Sequence, residues 1–187
     1  MLLVISVSLA GAAGAGDAPP PPAAATAGKD DPAARYGQLQ LHPEAVFQEQ
    51  VKGTKELLDG KEPEVLDQLD RLRSGGHLDR RSASAIPDAL ANARVTTNAL
   101  AAEILAGKPI PGAEARSMAR ALGVAADSLT QQASEIETGL SGMPAGGEPT
   151  PEGGSSHLDL QRGLVQDLTT IGERLRGTAH GVMENLK

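Results

Sequence analysis

The sequence predicts an all-α protein, an antiparallel helix bundle of four main helices plus one short helix, behind a disordered N-terminal leader. Apolar residues recur every three or four positions over most of the chain, which is the period of a helix with one buried face. No stretch alternates apolar and polar residues as a half-buried strand does. Gly and Pro divide the periodic region into segments, and short connections between most of them favour antiparallel neighbours.

The N-terminal part is predicted to lie outside the folded domain. Residues 1–18 hold a short apolar run followed by small residues and an A-x-A site ending at Ala15, which is typical of a secretory signal peptide. No Lys or Arg precedes that run, so a disordered leader without a targeting role is the alternative. Residues 19–38 are rich in Pro and Ala and are predicted to be a disordered tether, because a polyproline run is extended. We therefore expect a periplasmic or secreted protein whose bundle domain occupies residues 39–187.

The first two helical segments are predicted at 43–60 and 63–74. Pro43 and Pro63 suit the first position of a helix, where the missing N–H is not needed, and Gly60 is expected to end the first segment. The second segment is the short helix, expected to be a cover or hinge. The apolar stripes of the two segments are Phe47, Val51, Thr54 and Leu58, then Val65, Leu66, Leu69 and Leu72.

The third helix is predicted from Pro87 to Ala106. Its main apolar stripe is Ile86, Leu90, Ala93, Thr97, Leu100, Ala101 and Ile104, and its opposite side carries Ala91, Val95, Ala99 and Ala102. A helix that is apolar or small nearly all round is expected to pack on more than one side. We therefore predict that Val95 is buried and that Val95→Asp costs several kcal/mol. In the alternative, Val95 faces solvent and marks a partner or dimer interface.

The fourth and fifth helices are predicted at 113–140 and 156–186. Each has one apolar seam with spacings of three and four, as in coiled coils. The seams are Met118, Leu122, Ala125, Leu129, Ala133, Ile136 and Leu140, then Leu164, Leu168, Ile171, Leu175, Ala179, Val182 and Leu186. Residues 142–154 between them are rich in Gly and Pro and are predicted to form a flexible loop.

Composition argues against several classes of function. A net charge of −7 repels phosphate backbones, and one Tyr, one Phe and no Trp leave few platforms for stacking bases, so we expect no nucleic acid partner. The same features oppose membrane association beyond export, although a lipid-surface role remains an alternative. The absence of Cys excludes disulfides, thiolate metal sites and a lipid anchor on cysteine.

No constellation of residues predicts catalysis or a cofactor. No serine lies in a Gly-x-Ser-x-Gly elbow and no glycine run forms a P-loop, so we predict no enzyme, and no catalytic, cofactor-binding or metal residues. The best cluster is Glu173, His180 and Glu184, on one face of the fifth helix but opposite its apolar seam, whereas metal ligands in a bundle point inward. Haem ligation by His180 with a methionine lacks an attachment motif; the candidate methionines are Met118, Met143 and Met183.

These observations predict an exported, non-enzymatic helical bundle that acts through protein–protein contacts, as a scaffold, adaptor or holdase. The sequence does not identify the protein partner, and a homo-oligomer is one form that such contacts take. A bundle that binds a metal or haem is the alternative, and an enzyme of unrecognised type also stays open.

Overall fold

The computed structural model describes residues 39–141 and 156–187, which form four α-helices and two very short strands. In chain order the elements are β1 (Gln40–Leu41), α1 (Ala45–Ser74), α2 (Arg80–Leu105), β2 (Ile110–Pro111), α3 (Gly112–Ser141) and α4 (His157–Glu184). The predicted all-α bundle with four main helices is confirmed. The predictions for residues 1–18, 19–38 and 142–154 lie outside the described residues.

The four helices pack in a ring, each against the helices that precede and follow it in the chain, with α4 closing the ring on α1. The contact between α3 and α4 is the most extensive. Gln50, in the first part of α1, lies beside Gly177, in the last part of α4. Gln68, toward the end of α1, lies beside Gly163, near the start of α4. These two helices are therefore antiparallel.

The core lies along the axis of the ring, where the predicted apolar stripes meet. Each helix contributes fully buried leucines, including Leu58, Leu90, Leu122 and Leu168. The main stripe predicted for the third helix is buried along its whole length, and most of the two predicted coiled-coil seams is buried as well. Helical periodicity thus identified the inner surface of the bundle.

The segments predicted at 43–60 and 63–74 are one continuous helix, α1, so the separate short helix is wrong. Pro63 lies inside α1, where an interior proline costs about 3 kcal/mol of helix stability. The buried stripe nevertheless continues without a break from Leu58 through Glu62 to Val65. Because packing on both sides of the proline depends on that continuity, tertiary burial outweighs the local signals of Gly60 and Pro63.

Helix α2 begins seven residues before the predicted start at Pro87. Its N-cap is Asp79, whose side chain accepts hydrogen bonds from the backbone N–H groups of Arg81 (2.8 Å) and Ser82 (3.0 Å). Asp is a favoured N-cap because its carboxylate satisfies amides that have no partner in the first helical turn. The added turns bury Ser82 against the core.

The prediction that the second face of this helix is buried is wrong. Val95 is 66% exposed, and the three alanines on the same side of α2 are exposed too. The ring geometry explains this result, since α2 packs between α1 and α3 and its outward side meets no other helix. Small side chains do not by themselves require burial, and alanine is common on protein surfaces.

Backbone pairing closes one end of the bundle in a way that the sequence did not predict. Strands β1 and β2 pair antiparallel, and Gln40 and Lys187 exchange backbone hydrogen bonds of 3.0 and 3.1 Å. The amide of Gly112 donates to the carbonyl of Leu39 at 2.8 Å. The segment before α1, the connection between α2 and α3, and the C-terminal residues are therefore held together.

Candidate protein-interaction surface

The outward side of α2 carries four neighbouring uncharged side chains, beginning one turn after Asp88, which we call the α2 patch. It consists of Ala91, Val95, Ala99 and Ala102, which recur at three and four residues and so share one side of the helix. The outer surfaces of other helices carry ion pairs, such as Lys55 with Asp59 on α1. A run of exposed apolar side chains on an acidic protein is the kind of surface that a partner can cover with a gain in free energy.

A groove of about 450 Å³ between α2 and α3 adjoins the α2 patch. Asn92 and Thr96, which line the groove, directly follow Ala91 and Val95 of the patch. The groove is lined by Ala85, Asp88, Ala89, Asn92, Thr96, Ala121, Val124, Ala125 and Ser128. Val124 stands on the α3 side and is 70% exposed. The patch and the groove therefore adjoin on α2 and together form a surface of mostly small side chains, in which Asp88 is the charged residue of the groove lining.

A second, smaller groove of about 210 Å³ lies between α1 and α2. Its apolar lining includes Val51, Ala101, Ile104 and Leu105, and Leu105 is 86% exposed. Glutamate and lysine side chains also line it, so its charges are mixed. It is smaller and more charged than the groove between α2 and α3, which makes the latter the better candidate for a protein contact.

The structure places His180 and Glu184 together on the outer side of α4. His180 Nε2 lies 3.1 Å from Glu184 Oε1, both side chains are well exposed, and Glu173 is exposed as well. The prediction that this cluster faces water is confirmed. Among the residues that the structure describes, no group of three or more His, Cys, Asp and Glu is placed to hold a metal ion.

Of the methionines considered for haem ligation, Met118 and Met183 lie among the described residues. Met118 is half-buried and packs against the apolar core, as expected of a core-filling side chain. Met183 lies on α4, partly exposed, and Met143 lies outside the described residues. Met118 therefore belongs to the core, whereas His180 lies on the outer side of α4.

Two histidines that lie far apart in the sequence are in contact. The rings of His77, in the turn after α1, and His157, the first residue of α4, stack with centroids 4.2 Å apart and planes 11° from parallel. Gln161 Nε2 also donates to the carbonyl oxygen of His77 at 2.8 Å. The pair ties the α1–α2 turn to the first turn of α4. Because 80 residues separate the two histidines, no local pattern could have signalled the contact.

The shifted pKa values belong to groups that hold elements together. Hydrogen bonds from Ser82 hold the pKa of Asp79 below its ordinary value. The ammonium of Lys187 lowers the pKa of Glu44, and bonds to Glu64 and Asp167 raise the pKa of Lys61. None of these groups lies in the α2 patch or lines the groove beside it. Their shifted pKa values reflect hydrogen bonds and ion pairs that stabilise the fold.

Searches against known protein families, curated proteins and solved structures found no match to this chain. Across residues 39–141 and 156–187, no helix combines the length and apolar character needed to cross a bilayer.

Proposed function

We propose that this chain is a non-enzymatic helical bundle that acts through protein–protein contacts, as a scaffold, adaptor or holdase. The observation that carries the proposal is the exposure of Val95 at the centre of a patch without charge. Burying the patch and the adjoining groove against a partner removes apolar surface from water and leaves no charge of the patch without a counterion. The packing of α2 between α1 and α3 holds that surface on the outside of the bundle.

Site-specific photocrosslinking in the natural host tests this function. A benzoylphenylalanine placed at Val95 or Val124 should form adducts with a protein partner, because both side chains point away from the core. The matched control is Gln166, an exposed residue on α4. Adducts at the two valines but not at Gln166 support the proposal. Absence of adducts, or the same adducts from all three positions, contradicts it.

We further propose that the protein is exported, to the periplasm or the medium. The support is the sequence of residues 1–18, with its apolar run and small residues. We expect the intact mass of the protein recovered from its natural host to lack the residues up to Ala15 or Ala18. A mass that retains Met1 to Leu9 would contradict export by cleavage.

A further inference from the structure

The groove between α2 and α3 is lined mostly by small side chains. Four alanines line it, and such small side chains let a neighbouring backbone approach closely. The α2 side runs from Ala85 to Thr96, a rise of about 16 Å along the helix. An amphipathic helix that lays its apolar stripe into a groove between two helices is a recurring mode of recognition.

Carboxylates extend the groove beyond its lining residues. Seven residues are two helical turns, so residues seven apart lie on the same side of a helix. By this spacing Glu103 follows Thr96 on α2, while Glu114 precedes Ala121 and Glu135 follows Ser128 on α3.

These carboxylates fall at the two ends of the groove. Because only six residues connect α2 to α3, Glu103 and Glu114 lie toward the same end. Asp88, which lines the groove, lies toward the other end with Glu135. Glu135 accepts hydrogen bonds from two glutamine amides, which leave its charge in place.

The arginines of α2 and α3 nearest to this surface lie outside the groove lining. None of the residues that line the groove is basic. Arg94 of α2 reaches across to Glu62 of α1, with Nη1 3.4 Å from Oε1. Arg120, one turn before Val124, is close in sequence but does not line the groove. The groove is therefore lined mostly by small side chains, and two carboxylates lie toward each of its ends. By the same spacing Arg81 precedes Asp88, so the end with Asp88 and Glu135 also carries one arginine.

From this charge pattern we propose that the groove binds a basic amphipathic helix of a partner protein. Its small or aliphatic stripe lies along the alanines and Val124, and Lys or Arg residues near its two ends meet the carboxylate pairs. The span from Asp88 to Glu103 is about 22 Å, which a helix of some four turns covers. This inference rests on the proposed function, because it names the partner's chemistry at the same surface. The net charge of −7 also favours the approach of a cationic segment.

The test is a display library of 18-residue helices selected on the immobilised full chain. Every member carries Ala, Leu or Val along one stripe, and the positions near its two ends are free to be Lys, Gln or Glu. We expect enrichment of Lys at both ends and affinity that falls with salt. The best Lys peptide should bind about tenfold more tightly than its Gln counterpart, the sum expected of several exposed ion pairs.

Two protein variants of equal net charge make the test specific. The groove variant carries Asp88→Asn, Glu103→Gln, Glu114→Gln and Glu135→Gln. The control carries Glu49→Gln, Glu56→Gln, Asp70→Asn and Glu173→Gln, all exposed and outside the groove lining. The Lys peptide should lose its tenfold advantage on the groove variant and keep it on the control. No selected binder, equal affinity of the Lys and Gln peptides, or an equal loss on both variants overturns the inference.

Failure of this inference can be told from failure of the proposed function. Partner adducts at Val95 and Val124 without any preference for cationic helices leave the function standing and reject the basic helix. Adducts between Val124 and a second copy of this chain likewise reject it, because the occupant is then this chain and not a helix of another protein. If neither adducts nor peptide binding appear, both proposals fail.

Discussion

Single residues fix where the helices begin, and Asp79 shows how. Its carboxylate accepts from two backbone amides at the start of α2 and from Ser82 Oγ at 2.7 Å. These bonds favour the ionised form, so the pKa of Asp79 lies below its ordinary value when the protein is folded. The negative charge also suits the positive end of the helix dipole.

Replacing Asp79 by alanine should therefore destabilise the protein in a pH-dependent way. We expect a loss of about 1 kcal/mol near pH 7, the usual effect of removing an N-cap. Since folding lowers the pKa, the contribution of the charge is complete above the ordinary pKa and is lost as the pH falls through the folded value. Denaturant unfolding of both proteins from pH 7 to pH 3 should show the difference shrinking. Asp79→Asn retains an acceptor and should show a flatter dependence; a constant difference for Asp79→Ala would contradict the argument.

At the scale of the elements, glycine sets how closely α3 and α4 pack. A methyl group on Gly172 would stand 2.7 Å from Thr130 Oγ1 and 3.2 Å from the carbonyl oxygen of Ala126. The carbonyl belongs to the helical backbone and cannot turn aside. Gly172 is accordingly buried in the contact between the two helices.

Gly172→Ala should destabilise the fold, because the two helices must move apart. Overpacking of this kind costs about 1–3 kcal/mol, whereas alanine gains roughly 1 kcal/mol in helix propensity over glycine. The net change in the free energy of unfolding is therefore a loss of up to about 2 kcal/mol. Gly123→Ala on α3 is the control, because nothing lies within 4 Å of the added methyl. It should raise stability by about 0.5–1 kcal/mol. Thermal unfolding of both variants tests this prediction. Equal gains in Tm would contradict it, because α3 and α4 would then accommodate the added methyl group at no cost in stability.

The elements also show what sequence reasoning could reach. Periodicity located the buried stripes because a helix repeats its inner face every three or four residues, whatever surrounds it. Sequence reasoning wrongly divided α1 at Gly60 and Pro63. These residues signal a helix end locally, but they carry no information on the packing energy that keeps α1 continuous. Sequence reasoning also missed the start of α2, although Asp79 is a favoured capping residue, because Pro87 offered a competing start signal. Strands β1 and β2 are two residues each and too short to show any pattern.

For the whole molecule, the least predictable property was which surfaces stay open. The apolar seams of α3 and α4 were enough to predict which sides of these helices are buried. The sequence of α2 did not show whether its outer side is covered by another element or exposed to water. Only the arrangement of the helices decides between these outcomes. The groove between α2 and α3 and the contact between His77 and His157 depend on the same assembly, so neither could be derived from spacing along the chain.

Exposure of the α2 patch leads to a direct prediction for Val95→Asp. Val and Asp have similar helix propensities, and a carboxylate at a position 66% exposed remains hydrated. We therefore expect the free energy of unfolding to change by less than about 0.5 kcal/mol, as for most surface substitutions. The same change at Leu100, which is fully buried one turn and a half further along α2, should unfold the domain, because it places an uncompensated charge in the core.

The measurement that checks this pair is chemical denaturation, with light scattering to report the oligomeric state. If Val95→Asp matches the parent in stability but loses photocrosslinked adducts at Val124, the α2 patch contributes to binding and not to folding. If instead Val95→Asp loses more than about 1 kcal/mol in a protein that is monomeric before the change, the outer side of α2 must be covered within the molecule. In that event the patch would be part of the fold, and the proposed protein contact would have to lie on another surface.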